Sequence, residues 1–232
     1  MQTQLALSNP IRLATVVVLF MLFLGIGLGT GASEADILLP DPDVTGTLPV
    51  EEALAQRRSV RSYTDAPLSA EDIGQLLWAA QGITEPAHGF RTAPSAGATF
   101  PLELYLCVGN AEGLNKGLYR YHPRDHGLTL LKEDDLREEL SEVALGQAWI
   151  AEAPVVLVMA ADYARTTAVY GDRGRRYVHI EVGHVAQNVY LQAQALDLAT
   201  VIVGAFDDQS AQDLLGIEHS VLAILPVGAP DG

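Results

Sequence analysis

The sequence predicts an α+β domain: a central sheet with helices packed against it. Two observations carry this. Apolar runs of strand length, Leu102–Val108, Pro154–Ala161 and Val221–Val227, read as buried strands. Between them lie segments with apolar residues at helical spacing, the longest being Val178–Leu196. Strands and helices are mixed along the chain with no internal repeat, which fits helices laid against one sheet.

Val50–Gln56 reads as a short helix that runs into the basic cluster Arg57-Arg58-Ser59-Val60-Arg61. Ser69 with Asp72 three residues on has the form of a capping box. The helix behind it carries Ile73, Leu76, Leu77 and Ala80 on one side. Gly117–Arg124 and Gly127–Leu131 read as a hairpin turning at Asp125-His126-Gly127. Asp134–Leu145 is predicted as an amphipathic helix. On Val178–Leu196 the apolar side is Val182, Val185, Ala186, Val189, Ala193 and Leu196, and Ala199–Gly204 follows as a buried strand.

The N-terminal part has a different character. Arg12 is the only charged residue of Met1–Ala32, and it precedes the apolar run Leu13–Leu28. Thr30-Gly31-Ala32 and Ser33-Glu34-Ala35 offer small residues for cleavage. The run is shorter than the ~20 residues of a spanning helix. Residues 1–32 are therefore expected to be a signal peptide or an N-terminal membrane anchor, with the body outside the cytoplasm, periplasmic or extracellular. Residues 33–49 are expected to be a linker, rich in Asp and Pro, and 50–232 the folded body. Asp41-Pro42-Asp43-Val44-Thr45 matches an aspartyl phosphotransferase pattern, but Pro40 and Pro42 are incompatible with the clean strand that pattern must end.

The 232 residues carry a formal charge of -15. Removing Arg12 leaves 13 cationic against 29 acidic side chains, or -16. Such a body is a poor nucleic-acid binder, because counterion release requires clustered Lys and Arg. The single cysteine, Cys107, excludes an internal disulfide and lies in a buried strand, where it reads as a small core residue.

Three constellations could carry chemistry. Arg57, Arg58 and Arg61 can make charge-assisted, partly bidentate bonds to a phosphate, and Ser59 adds a hydroxyl. Thr92-Ala93-Pro94-Ser95-Ala96-Gly97-Ala98 lets backbone approach a flat ligand closely. Val201-Ile202-Val203-Gly204-Ala205-Phe206-Asp207 is an apolar strand opening into Gly-Ala, where a ring can meet backbone amides. No dinucleotide, Walker or nucleophile-elbow motif occurs. Glu181 and His184 share a helix face, but a di-iron site needs a second such helical pair, and Glu85 with His88 falls around Pro86. No metal is expected.

Taken in order, these pieces resemble the nitroreductase superfamily and, within it, the SagB-type dehydrogenase branch. The resemblance runs from Leu38-Leu39-Pro40 and Val50-Glu51-Glu52-Ala53-Leu54 through Arg57–Arg61, Leu76–Gly82 and Arg91–Ala98. It continues through Pro101–Tyr105, Gly117–Tyr121 and Gly183–Asn188 to Val203–Asp208 and Leu225–Gly228, covering about residues 38–230. It implies a mostly antiparallel sheet flanked by helices, and a homodimer with flavin sites shared between subunits. FMN would be the cofactor, NAD(P)H a candidate donor and a small molecule the substrate. Arg57, Arg58, Ser59 and Arg61 would hold the FMN phosphate and ribityl chain. Pro94, Ser95, Ala96, Gly97 and Ala98 would pass against the flavin from the partner, and Gly204 and Ala205 would lie near its reactive side. Azoline oxidases near this branch use a Lys-Tyr pair for proton abstraction. Here the pair reads Val169-Tyr170, so Tyr170 is the single candidate proton donor, and valine cannot act as a base. The sequence ends at Gly232, without the basic tail that many simple nitroreductases bring to the phosphate, which leaves that task to Arg57–Arg61. Azoline oxidation of a modified peptide, or non-catalytic flavin binding in the cell envelope, are the alternatives to a general FMN-dependent oxidoreductase.

Overall fold

Strands β4 (Leu102–Val108) and β7 (Val155–Ala161) are buried along their whole length, which makes them the centre of the sheet. The computed structural model describes residues 35–232. The expected signal or anchor, with its apolar run Leu13–Leu28, lies outside the described residues. Among the described residues no helix is long and apolar enough to cross a membrane.

Side chains alternate along a strand, and here the alternation divides the interior in two. Val155, Leu157, Met159 and Ala161 join Leu102, Leu104, Leu106 and Val108 in one core. Val156, Val158 and Ala160 join Tyr105 and Cys107 in the other. The first core is covered by α2 (Ala70–Gln81) and α6 (Arg173–Ala195). The second is covered by α3 (Arg137–Val143), α4 (Trp149–Glu152) and α7 (Asp208–Leu215). Burial pushes the Cys107 thiol up to about 12, so it is a core residue and not a nucleophile.

The sheet has seven strands. Its order is β1 (Ile37–Leu38), β6 (Gly127–Lys132), β5 (Gly117–His122), β4, β7, β9 (Ser220–Gly228) and β8 (Ala199–Thr200). Every named pair is antiparallel, and each strand of the β5–β6 hairpin meets its neighbour in sequence. A separate two-stranded ribbon joins β2 (Ile83–Glu85) and β3 (Phe90–Arg91).

Ser69 and Asp72 close the capping box: Asp72 N–H donates to Ser69 Oγ at 3.0 Å and Ser69 N–H to Asp72 Oδ2 at 3.3 Å. Four elements differ from the sequence expectation. The helix expected over Asp134–Leu145 is only α3: ahead of it Asp135 clamps the Arg137 side chain at 2.8 Å, and behind it Leu145 takes a φ of +63°. The long helix begins at Arg173, five residues before its apolar stripe; its polar first turns carry no hydrophobic period. There Gly174 packs on the backbone of Thr166 and Thr167 so closely that a Cβ would lie 2.9 Å away. Beyond Thr200 the strand expected over Ala199–Gly204 continues only as a bridge from Val203 to Ile224. The segment read as a linker is extended but docked, since Ile37–Leu38 pairs with β6 and Pro40 O accepts from His126 Nε2–H at 2.9 Å.

Candidate functional site

The arginine cluster leaves α1 (Val50–Gln56) and runs along the sheet edge, where Val60 N–H donates to Thr200 O at 3.1 Å. Ser59 Oγ and Tyr190 Oη share a hydrogen bond of 3.0 Å, and Tyr190 Oη also accepts from Ile202 N–H at 2.9 Å. Tyr190 thus ties the cluster to the strand that leads to Gly204. The three guanidinium groups are placed differently. Arg57 lies over the Tyr190 ring at 5.1 Å and Arg61 over the Trp149 ring at 5.7 Å. Arg58 Nη1 turns back to donate to Ala55 O at 3.0 Å and Arg57 O at 2.7 Å, capping α1. None of the three pairs with a carboxylate among the described residues. A cavity of about 280 Å³ opens beside Arg57 and Arg58, with Tyr190, Thr200 and the Asp197 carboxylate in its wall, while Ser59 and Arg61 lie outside its lining.

Gly204 and Ala205 are exposed just beyond this cluster. A Cβ added at Gly204 would meet nothing within 4 Å, and neither backbone N–H donates to a described acceptor. Ala205 O accepts from Gln147 Nε2–H at 2.8 Å.

Pro94–Ala98 forms a turn of 3-10 helix over Ala96–Ala98. Its backbone is strained: φ is +60° at Gly97, +51° at Ala98 and +43° at Phe100. A positive φ outside glycine costs on the order of 1–3 kcal/mol and persists only when the surroundings impose it. They do so here from several directions. His184 Nδ1–H donates to Pro94 O at 3.1 Å. Phe100 N–H donates to Ser95 Oγ at 2.9 Å, and Thr99 Oγ1 meets Thr166 Oγ1 at 2.8 Å. Arg165 Nη1 donates to Phe100 O at 3.0 Å and is itself held by Glu103, which also holds Arg120. Those two guanidiniums outweigh the burial that would raise the Glu103 pKa, and its carboxyl titrates below the usual range. Tyr170, at the end of α5 (Tyr163–Tyr170), covers Gly97: a Cβ there would lie 2.6 Å from the hydroxyl. Its ring stands edge-on to Tyr177 at 5.0 Å.

The structure therefore gathers the candidate residues into two groups. Arg57, Arg58, Ser59, Arg61, Gly204 and Ala205 form one, and Pro94–Ala98 with Tyr170 the other. Both groups lie against α6. It contacts the first through Tyr190 and the second through His184, about 120° apart around a helix turning about 100° per residue. A larger groove of about 790 Å³ contains none of these residues. Asp41, Asp43, Glu71 and Asp72 line it, so it repels a phosphate. Tyr190, Trp149, Thr166 and the Glu103–Arg165 pair escaped the sequence reading, because their partners are far away in the chain. Only Tyr190 left a signal, a polar aromatic on an otherwise aliphatic helix stripe.

The sequence model of the nitroreductase family matches residues 54–229. A protein of Methanocaldococcus jannaschii that bears the name nitroreductase is 48% identical over 193 residues, spanning 83% of this chain and 96% of that one. The NAD(P)H FMN reductase of Bacillus subtilis is 25% identical over 197 residues, 78% of this chain and 66% of that one. A crystal structure from Ralstonia eutropha, also named as a nitroreductase, matches with a TM-score of 0.75 and 29% identity over 87% of this chain and 92% of its own. The chain belongs to the nitroreductase family.

Proposed function

We propose that this protein is an FMN-dependent oxidoreductase that passes hydride between a reduced donor and a small organic acceptor, working as a homodimer with shared flavin sites. The observation that carries this is that the two residue groups lie against different sides of α6. Each is half of a ligand site, and a second copy supplies the other half.

The residues present fit FMN. Among the described residues Arg57 and Arg61 have no carboxylate partner, in a strongly acidic chain, and Ser59, between them in sequence, adds a hydroxyl that meets Tyr190 Oη. The free N–H groups of Gly204 and Ala205 can stabilise negative charge at the edge of a ring. Bound FMN supplies the hydride chemistry; the protein supplies binding, orientation and charge. Pro94–Ala98 bears only small side chains and can lie flat against a ring face. Tyr170 stands over that segment and is the candidate proton donor, while its exposed neighbour Val169 has no group to act as a base. The motif order further supports the SagB-type branch. We place the body outside the cytoplasm, with Met1–Ala32 as signal or anchor; intact, untethered chain found in the cytosol would overturn that placement.

An absorbance spectrum tests the function. The purified protein, alone or after adding FMN, should show bound-flavin bands that bleach with NADPH or another reduced donor. A colourless protein that takes up no FMN overturns the proposal.

A further inference from the structure

The span that presents Gly204 and Ala205 is anchored at both ends. At one end Val203 N–H donates to Ile224 O at 2.8 Å and Ile224 N–H donates back to Val203 O at 3.0 Å, which ties the span to β9. At the other end Asp207 N–H donates to Val143 O at 2.9 Å, and the Asp207 carboxylate caps α7 by accepting from Ser210 N–H at 2.8 Å. Among the described residues one hydrogen bond reaches the three residues between these anchors: Gln147 Nε2–H donates to Ala205 O at 2.8 Å. Gln147 is itself held. The same Nε2 donates to Ala144 O at 2.6 Å, and the Gln147 carbonyl accepts from Ser141 Oγ–H and from Ile150 N–H, both at 3.0 Å.

We propose that Gln147 is a positioning residue: by holding Ala205 O it fixes where the Gly204 and Ala205 N–H groups stand, and so sets the reduction potential of the flavin they face. The inference rests on the FMN reading above and names a residue which that reading does not use.

Three observations carry it. First, packing does not hold the pair. Gly204 and Ala205 are exposed, and a Cβ added at Gly204 would meet nothing within 4 Å. A peptide N–H turns only when the backbone torsions beside it turn. With Val203 and Asp207 anchored, a bond to the carbonyl of Ala205 takes away most of the freedom left between them. Second, the orientation of the amide is determined. Turned over, Gln147 would set Oε1 against two carbonyl oxygens, so the nitrogen must face both Ala144 O and Ala205 O. Third, the loop between α3 and α4 is built to bring the amide there. Leu145 takes a φ of +63° and Gly146 one of +73°, and Ser141, polar but buried, spends its hydroxyl on the Gln147 carbonyl. A positive φ at leucine persists only where the surroundings impose it. The amide is also neutral. It directs the two N–H groups without adding a charge of its own beside the ring. N–H donors aimed where negative charge gathers stabilise the reduced ring, and donors that drift away lower its potential.

The test compares the full chain loaded with FMN with Gln147→Met and Gln147→Glu. Methionine keeps the length and loses the donor; glutamate keeps the shape and replaces the nitrogen by an acceptor oxygen. Both variants should keep FMN within about threefold of wild-type affinity, since the arginine cluster is a separate site. In Gln147→Met the preference for reduced flavin should weaken roughly 10- to 100-fold, a fall of about 30–60 mV for two electrons. In Gln147→Glu the fall should be larger at neutral pH and shrink in acid, because a protonated carboxyl regains one donor. The potential of that variant plotted against pH should therefore bend once more than the plots of wild type and Gln147→Met. Ser141→Ala loosens Gln147 from behind and should lower the same preference by a smaller factor, roughly 2- to 10-fold, which keeps the test open if a Gln147 variant fails to fold. A lowered melting temperature with an unchanged flavin potential in these variants would show a loop brace only and overturn the inference, while the FMN reading stands. Absence of the extra bend in Gln147→Glu would overturn the donor role. A wild type that takes up no FMN overturns the functional reading and this inference together.

Discussion

Arg57–Arg61 and Pro94–Phe100, the segment that holds the proposed flavin contact Pro94–Ala98, are built in opposite ways. The first concentrates three cations in five residues and is held by a few bonds to Thr200 and Tyr190. The second carries no charge, adopts three positive φ angles, and is gripped from α5, α6 and the sheet. The first stores binding energy as unpaired charge and needs little support, because guanidinium stacked on an aromatic ring is already stable. The second stores conformational strain, and strain must be held. Substitutions in the two regions should therefore fail in different measurements.

The largest effect is expected from Arg57→Ala combined with Arg61→Ala. Charge-assisted hydrogen bonds contribute about 1.5–3 kcal/mol each, so losing two should weaken FMN binding roughly 10²- to 10⁴-fold. Thermal stability should stay within about 2 °C, because neither side chain carries the fold. Arg58→Ala should act differently. It removes a cap from α1 and should cost more in stability and less in FMN affinity than either neighbour. A flavin fluorescence titration with a melting curve separates these cases, and undiminished FMN affinity in the double variant would reduce the cluster to surface charge.

The same contrast explains what could be read from the sequence. The sheet was legible, because buried strands are continuous apolar runs and the capping box is local. The arginine cluster was legible because charge density is local as well. The grip on Pro94–Phe100 was not. Its contacts join Pro94 to His184 and Thr99 to Thr166, and no spacing rule links residues so far apart. α3 and the start of α6 were misjudged for a related reason. A clamped Asp135 shortens one helix, and the close approach of Gly174 to α5 permits the other to begin early. Neither leaves a hydrophobic period to read.

Gly97→Ala should invert the first result. Alanine at a φ of +60° is strained, and its Cβ would stand 2.6 Å from the Tyr170 hydroxyl. A loss of about 1–3 kcal/mol is expected, or roughly 2–10 °C in melting temperature for a chain of this size. FMN affinity should fall less than about fivefold, since the phosphate contacts remain. If Gly97→Ala instead released FMN without loss of stability, the division between a binding region and a strained region would be wrong.

The smallest effect is expected from acid, and it separates the regions without a mutation. Glu103 titrates below the ordinary value of 4.5, held down by Arg120 and Arg165 against its burial. A depressed carboxylate contributes stability that is present above its unfolded pKa and lost as pH falls through the folded one. As pH falls through that lowered value Arg165 should thus lose its anchor, and with it the grip on Phe100 O. Glu181 has the opposite sign. Burial raises its pKa, so its contribution is full below the unfolded value and is lost as pH rises through the folded one. Acidification therefore relieves the burial of Glu181 while it unpins Glu103, and the net loosening should be small. Amide exchange around Phe100 should rise only modestly between pH 5 and about pH 3, after correction for intrinsic rates. Exchange at Val60, whose bond to Thr200 has no titratable partner, should not change. Equal loosening at both amides would mean that acid opens the whole domain, and that the two regions are not independently held.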